Sequence, residues 1–139
     1  MPQSKSQTHL TPDRVWELIS EIIGVPVKIC KEYFYDPCPA YTPYKAPIFF
    51  NGLYGDWKKF NYVNPMFEVK TLTAFVKKAA EQARQNRISI MLLPTKTDQE
   101  WFHDIILKNN YKITWIRKRL HFKNNRHHAT DTHFLVLIK

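Results

Sequence analysis

The tetrapeptide Asn64-Pro65-Met66-Phe67 combines residue types that could hold an amine and prepare it for reaction. An asparagine oxygen and the next carbonyl can both accept hydrogen bonds from one exocyclic amine, which directs the nitrogen lone pair towards an electrophilic methyl group. The proline fixes the turn so that the two acceptors converge, and Phe67 can stack on a flat base. Such a base must be flipped out of a duplex. A plain loop that ends a strand has the same pattern, so both interpretations stay open here.

The second chemical feature is a basic segment near the C-terminus. The chain has a net charge of +9, and between Tyr111 and His128 it has six Lys or Arg residues and no acidic residue. Such a segment attracts polyanions, of which nucleic acid is the commonest. A solvated basic surface without a partner is the alternative. The candidate phosphate contacts are Arg117, Lys118, Arg119, Lys123 and Arg126.

Alternating helical and strand patterns predict the scaffold that positions these residues. In the first half of the chain we expect a helix opened by Thr11-Pro12 and ending at Gly24, a strand over 27–35 and a strand over 60–64. In the second half we expect a helix over 71–87, a strand over 88–93 and a helix from 97 or 98 to 107. One or two strands over 112–122 and a last strand over 134–138 follow. This alternation predicts an α/β fold with a mainly parallel sheet. Sites in such sheets lie at the carboxyl ends of strands, where Asp36 and Asn64 both fall.

Composition narrows the class of protein. The 139 residues are the length of one domain, 1–139, and we expect residues 1–10 to form a disordered tail. No apolar run approaches the roughly 20 residues of a membrane span, and the polar start is unlike a signal peptide. Two cysteines, Cys30 and Cys38, are too few for a disulfide framework or a four-ligand zinc site. We expect an intracellular protein without a metal site, in which the histidines of 127–133 lie in a solvated loop.

Several segments, taken in order, resemble motifs of the small phage-type, Dam-like DNA adenine-N6 methyltransferases. The shared motifs run from a T-P helix start and a D-x-C strand end, through G-L-x-x-D-W and N-P-x-aromatic elements, to L-L-P, W-F-H and I-R-x-R-L-x-F segments. In this chain they are Thr11-Pro12, Asp36-Pro37-Cys38, Gly52-Leu53-Tyr54-Gly55-Asp56-Trp57, Asn64-Pro65-Met66-Phe67, Leu92-Leu93-Pro94, Trp101-Phe102-His103 and Ile116-Arg117-Lys118-Arg119-Leu120-His121-Phe122. The resemblance covers nearly the whole chain.

This resemblance implies a fold, an activity and a set of site residues. The fold would be an abbreviated Rossmann-like methyltransferase fold, with helices flanking a mainly parallel sheet and an antiparallel C-terminal strand. S-adenosylmethionine would donate a methyl group to a flipped-out adenine in DNA. Asn64 and the Pro65 carbonyl would hold the adenine amine, and Phe67 would stack on the base. The donor would be bound by Asp36, Cys38, Asp56 and Trp57.

Two further hypotheses follow from departures and composition. Met66 stands where the family has a second proline, and Asn51 replaces an aspartate. A relative that binds nucleic acid without catalysis would tolerate both changes. A subunit that completes its site with a second, identical or different, chain is the other hypothesis, because the region 33–62 is rich in aromatic residues that could form an interface.

Overall fold

Helices and strands alternate in the computed structural model, which describes residues 11–38, 52–65, 68–123 and 126–139. In chain order the elements are helix α1 (Asp13–Ile23), helix α2 (Val27–Tyr33), strand β1 (Phe60–Val63), helix α3 (Val69–Ala83), strand β2 (Ile88–Pro94), a π-helix (Phe102–Leu107), strand β3 (Lys112–Trp115) and strand β4 (His133–Ile138). None of the helices in these described ranges is long and apolar enough to cross a membrane.

The strands form one sheet in the order β1-β2-β4-β3. β1 and β2 are parallel and are joined through α3, whereas β4 is antiparallel to both β2 and β3. β1, β2 and β3 therefore share one direction and β4 runs against them, which confirms the antiparallel C-terminal strand. The expectation of mainly parallel pairing was wrong, since among the four described strands only β1 and β2 pair in parallel. The physical reason is that the described residues between β3 and β4 (116–123 and 126–132) form no helix of the kind that parallel connections need, and β4 returns antiparallel between β2 and β3.

The segment 27–33 is a helix, and the predicted strand over 27–35 was wrong. Its β-branched and aromatic residues favour a strand, but Val27, Cys30 and Phe34 are spaced at helical intervals and face the same core. Pro26 precedes the helix with φ −58°, a value that suits the first turn. Burial of this helical stripe therefore outweighs the local strand propensity.

The sheet separates two cores, one on each face. On one face α1 and α2 cover the sheet, and the fully buried side chains there include Trp16, Ile19, Tyr62, Leu92 and Leu120. On the other face lie α3 and the π-helix, with Leu72, Phe75, Met91, Trp101 and Phe134. Ile90 to Leu93 in β2 are fully buried, which confirms the prediction from their continuous apolar run of a strand covered on both faces.

Candidate active site and nucleic-acid interface

The Asn64-Pro65 turn directly follows β1, at the carboxyl end of that strand. Asn64 is 8% exposed and Pro65 is also buried, so packing fixes where this turn lies. The strand that Pro65 was predicted to stop is confirmed. Met66 and Phe67, the other two residues of the predicted motif, lie outside the described residues.

A second turn, Asp36-Pro37-Cys38, lies beside the end of β1. Tyr35 forms an isolated parallel bridge with this strand. Its N–H donates to the carbonyl of Phe60 (3.0 Å), and its own carbonyl accepts the N–H of Tyr62 (2.9 Å). Because the pairing is parallel, the chain after Tyr35 and the chain after β1 leave the sheet at the same edge. The Asp36 turn and the Asn64 turn therefore lie at the same edge of the sheet, although the segment before Asp36 is a helix and an isolated bridge and not the predicted strand.

The Asp36 turn is held by its own hydrogen bond and by a close backbone contact. The N–H of Cys38 donates to Asp36 Oδ1 over 2.8 Å, which orients the carboxylate. Gly52 lies against the carbonyl of Pro37: a Cβ at residue 52 would be 1.8 Å from that oxygen. Position 52 therefore requires glycine, and the segment from Gly52 to Trp57 contacts the Asp36 turn through Gly52.

Tyr62 places a neutral phenol behind the two turns. Its side chain is fully buried, and its hydroxyl is 2.7 Å from the Thr11 hydroxyl. Burial raises the pKa of Tyr62 far above its ordinary value; the Thr11 hydrogen bond opposes this rise and the nearby Asp36 carboxylate adds to it. Tyr62 therefore stays protonated and acts as a hydrogen-bonding group. Thr11 was predicted as the N-cap of α1, but that position is taken by Pro12.

Asp56 and Trp57 lie at the opposite end of β1. The carboxylate of Asp56 accepts a hydrogen bond from Gln82 Nε2 (3.1 Å) and pairs with Arg87 (3.6 Å), which directly precedes β2. Trp57 is 3% exposed, stacks on Phe75 and donates its backbone N–H to Gln82 Oε1 (2.8 Å). The Asp56 carboxylate is thus separated from Asp36 and Asn64 by the length of β1, about 13 Å for four residues. The Trp57 indole, in contrast, extends back towards the Asp36 turn, because its Nε1–H donates to the carbonyl of Gly52 (2.6 Å), the residue that lies against the Pro37 carbonyl. Gln82 joins Asp56 and Trp57 to α3, and no feature of the sequence predicted this role.

The candidate phosphate contacts of the basic segment follow the end of β3. β3 runs parallel to β1, so this segment leaves the sheet at the same edge as Asn64. Arg117, Lys118 and Arg119 are exposed. Lys118 has φ +62°, a conformation that a lysine rarely adopts.

Arg14 fixes this unusual backbone. Its guanidinium donates to the carbonyl oxygens of Arg117 (2.6 Å), Lys118 (3.4 Å) and Arg119 (3.1 Å). The planar fork of several donors on one arginine suits three neighbouring acceptors. Arg14 lies more than 100 residues away along the chain, so the sequence alone could not reveal this contact.

The two remaining predicted phosphate contacts differ from each other. Lys123 pairs with Asp13 at 2.8 Å, and the Lys123 ammonium lowers the pKa of that carboxyl below its usual range. The positive charge of Lys123 is therefore partly neutralised by Asp13 within the protein. Arg126 is exposed.

The order of these turns along the chain agrees with one protein family. The model for DNA N-6-adenine-methyltransferase (Dam) matches residues 2–135. This protein belongs to the Dam family. Neither a curated protein nor a solved structure matches it. The family resemblance expected from the motifs is thus confirmed, and adenine methylation in DNA is the activity of the family.

In this Dam family member a buried histidine, His133, lies at the same edge of the sheet as the Asn64 turn. His133, the first residue of β4, is 1% exposed and packs against the Phe122 ring at 5.7 Å. The prediction that it lies in a solvated loop was therefore wrong, whereas His127 and His128 are exposed. Burial lowers the pKa of His133 to about 4, against the opposing effect of Asp131. Within the described residues, no three His, Cys, Asp or Glu side chains converge as metal ligands would.

Proposed function

We propose that this protein is an S-adenosylmethionine-dependent methyltransferase that acts on the N6 amine of a flipped-out adenine in DNA. The observation that carries the proposal is the adjacency of the Asp36 and Asn64 turns at the carboxyl ends of two parallel segments. One turn presents a carboxylate, and the other presents an amide followed by a carbonyl. This proposal treats the sheet as an abbreviated Rossmann-like scaffold.

The chemistry of the Asp36 turn fits the methyl donor. The donor carries a cationic amine at its amino-acid end, which a carboxylate can pair with and hydrogen-bond. Asp36 is oriented by the Cys38 N–H, so it can hold this amine without rearranging. Cys38 is 8% exposed and would line the donor site as a small side chain. Asp56 and Trp57 remain the predicted contacts of the donor's adenine.

The Asn64 turn would hold the acceptor. The bound donor would supply an electrophilic methyl group: the amine nitrogen bonds to the methyl carbon, the sulfur–methyl bond breaks, the demethylated thioether leaves and the amine loses one proton. The protein would supply position. Asn64 Oδ1 and the Pro65 carbonyl would each accept one N–H of the adenine amine, which leaves the lone pair directed out of the ring plane. Preorganised acceptors of this kind contribute by orientation and electrostatics rather than by a covalent enzyme intermediate. Met66 and Phe67 follow in the chain, and Phe67 would stack on the base.

The exposed cations at the same edge would contact the DNA backbone. Three strand spacings of about 4.8 Å put β3 about 14 Å from β1 across the sheet. Arg117, Lys118, Arg119, Lys123 and Arg126 would bind phosphates on the strand flanking the flipped base, so DNA affinity should fall steeply with salt.

The test measures donor binding and methyl transfer separately. S-adenosylmethionine and its demethylated product are titrated by calorimetry, and N6-methyladenine formed in unmethylated DNA of mixed sequence is quantified by mass spectrometry. Asn64→Ala should abolish transfer and leave donor binding unchanged, and Asn109→Ala, an exposed asparagine elsewhere, should change neither. Asp36→Asn keeps the acceptor for Cys38 but loses the charge, so donor affinity should fall at least about tenfold. Asp56→Asn, compared with it, tests the predicted contact at the other end of β1.

A second candidate function is nucleic-acid binding without catalysis. It is favoured by Met66 in place of the family's second proline, which removes a restriction on the turn. Donor binding distinguishes the two candidates. Absence of donor binding by folded protein, with and without DNA, would refute the first candidate and support the second.

A further inference from the structure

Trp115 differs from the other tryptophans of the chain in its exposure. The chain has four tryptophans. Trp16, Trp57 and Trp101 are at most 3% exposed, whereas Trp115 is 57% exposed on the edge strand β3. It contacts Phe134 at 5.3 Å between ring centroids, which supports the indole on one side. The Trp115 indole is therefore exposed to solvent on a strand that, in the described part of the sheet, pairs with only one neighbour, β4.

The charged residues near Trp115 in the sequence are all basic. Arg117, Lys118 and Arg119 follow it within four residues, and Lys112 begins the same strand. The sequence from 105 to 130 contains no acidic residue. A patch that combines an open aromatic ring with cations is complementary to nucleic acid, whose bases present flat faces and whose phosphates are anionic.

The sheet register relates Trp115 to the proposed acceptor turn. Val63 pairs with Met91, Met91 with Val136, and Val136 with Ile113, so these four residues form one row across the sheet. Trp115 and Pro65 each lie two residues beyond this row, towards the same edge. The indole is thus level with the Asn64-Pro65 turn and about 14 Å across the sheet from it.

We propose that Trp115 is a stacking platform for an unpaired base of the bound DNA. This inference rests on the proposed function, because it takes DNA as the ligand at this edge. A base displaced from the duplex, or the neighbour that loses its partner when another base is flipped, would stack on the open indole face. Phosphates on either side of that base would meet Arg117 and Arg119. Aromatic stacking of this kind tolerates any base, so Trp115 would add affinity without reading sequence.

The experiment uses tryptophan fluorescence of the full chain without a methyl donor. The probes are a short single-stranded oligodeoxyadenylate, a mixed-sequence duplex and the same duplex with one unpaired adenine. Since the other tryptophans are buried, acrylamide-accessible emission reports mainly Trp115. The single strand and the duplex with the unpaired base should quench this emission and protect it from acrylamide. The fully paired duplex should do so less.

Variants separate stacking from charge and from folding. Trp115→Thr, which suits an exposed strand position, should weaken single-strand binding by about 5- to 100-fold. Trp115→Phe should restore most of it. Tyr54→Thr, an equally exposed aromatic (59%) in the segment leading to Asp56, is the control and should bind like the wild type. The salt dependence of binding should stay unchanged in Trp115→Thr and become shallower in Arg117→Ala.

Three outcomes would overturn the inference. Wild-type affinity of Trp115→Thr for all three probes, in protein that still methylates DNA, would refute stacking and leave the proposed function standing. Binding without quenching would place the DNA elsewhere. A wild-type dimer that Trp115→Thr converts to a monomer on size exclusion would assign this edge to a second copy of the chain. Stacking without any methyl transfer would support the inference and contradict the proposed activity.

Discussion

The Thr11 hydroxyl oxygen lies 2.7 Å from the phenol oxygen of Tyr62, and both side chains are fully buried. The two residues are 51 positions apart in the chain. Thr11 precedes α1, and Tyr62 lies two residues before Asn64 on β1. This hydrogen bond therefore joins the start of α1 to the strand that carries the proposed acceptor turn, while Arg14 in the first turn of α1 holds the basic segment.

We expect the Thr11 and Tyr62 hydroxyls to be energetically coupled. Thr11→Val leaves the Tyr62 hydroxyl buried without the Thr11 oxygen, which should lower the free energy of unfolding by about 1–3 kcal/mol. Thr11→Val with Tyr62→Phe should cost less than the sum of the two single changes, by about 1 kcal/mol. Urea denaturation of the four proteins measures this difference. Strictly additive costs would show that the two hydroxyls do not interact.

Arg14→Gln should weaken DNA binding although Arg14 need not touch DNA. Without the guanidinium, the carbonyls of residues 117–119 lose their donors and Lys118 loses the contacts that hold its left-handed backbone. We expect DNA affinity to fall about three- to tenfold, because only part of the roughly 1–3 kcal/mol that a charged hydrogen-bond donor contributes would be lost from binding as opposed to folding. Arg84→Gln removes the same charge from an exposed site directly after α3 and is the control. Equal losses in the two variants would mean that only net charge matters.

Gly52→Ala and Gly55→Ala should differ sharply. A Cβ at residue 52 would overlap the Pro37 carbonyl, whereas a Cβ at residue 55 meets no atom within 4 Å. Gly52→Ala should therefore displace the Asp36 turn, destabilise the fold by about 1–3 kcal/mol and weaken donor binding. Gly55→Ala, at φ +69°, should cost only about 1 kcal/mol and leave the donor site unchanged. Thermal unfolding and donor calorimetry measure both effects, and similar donor affinities would disconnect residue 52 from the site.

Stability should fall as the pH is lowered through the range in which His133 titrates. Burial lowers its pKa from 6.5 to about 4, so between these values the unfolded chain binds a proton that the folded protein does not. Unfolding is therefore favoured as the pH falls below 6.5, and the loss is complete near pH 4. Its upper size is about 3 kcal/mol. His133→Leu should remove this part of the pH dependence, and His127→Leu, at an exposed site, should keep it. An unchanged profile in His133→Leu would assign the dependence to other groups.

The sequence was most informative where burial has a regular period. The strand ended by Pro65, the fully covered strand β2 and the stripe of α3 were predicted because apolar spacing and proline punctuation agree there. The segment 27–33 was mispredicted because side-chain type and spacing disagree, and spacing decided the structure. The mainly parallel pairing was mispredicted because β4 inserts between β2 and β3 and makes both of those pairings antiparallel, a long-range arrangement that no local pattern encodes.

The candidate site shows the same division. The position of Asn64 at a strand end could be predicted from the sequence, because Pro65 stops β1 there, whereas the strand expected before Asp36 is a helix followed by the isolated bridge at Tyr35. The contacts of Asp56 could not be predicted, since Gln82 and Arg87 reach it only after α3 folds back along β1. Trp115 also had no signal, because the exposure of one residue in a short strand depends on the strand being at the edge of the sheet.

The Asp36 turn and the Asn64 turn, which together form the proposed site, differ in local stability because the Asp36 turn is paired with β1 through an isolated bridge at Tyr35. Two backbone hydrogen bonds join this residue to β1, whereas β1 itself is paired along its whole length with β2. Opening of the pairing at Tyr35 therefore breaks these two hydrogen bonds and leaves the pairing of β1 with β2 intact, so it is a sub-global opening rather than unfolding. A donor bound at Asp36 could thus be exchanged while the Asn64 turn stays in place.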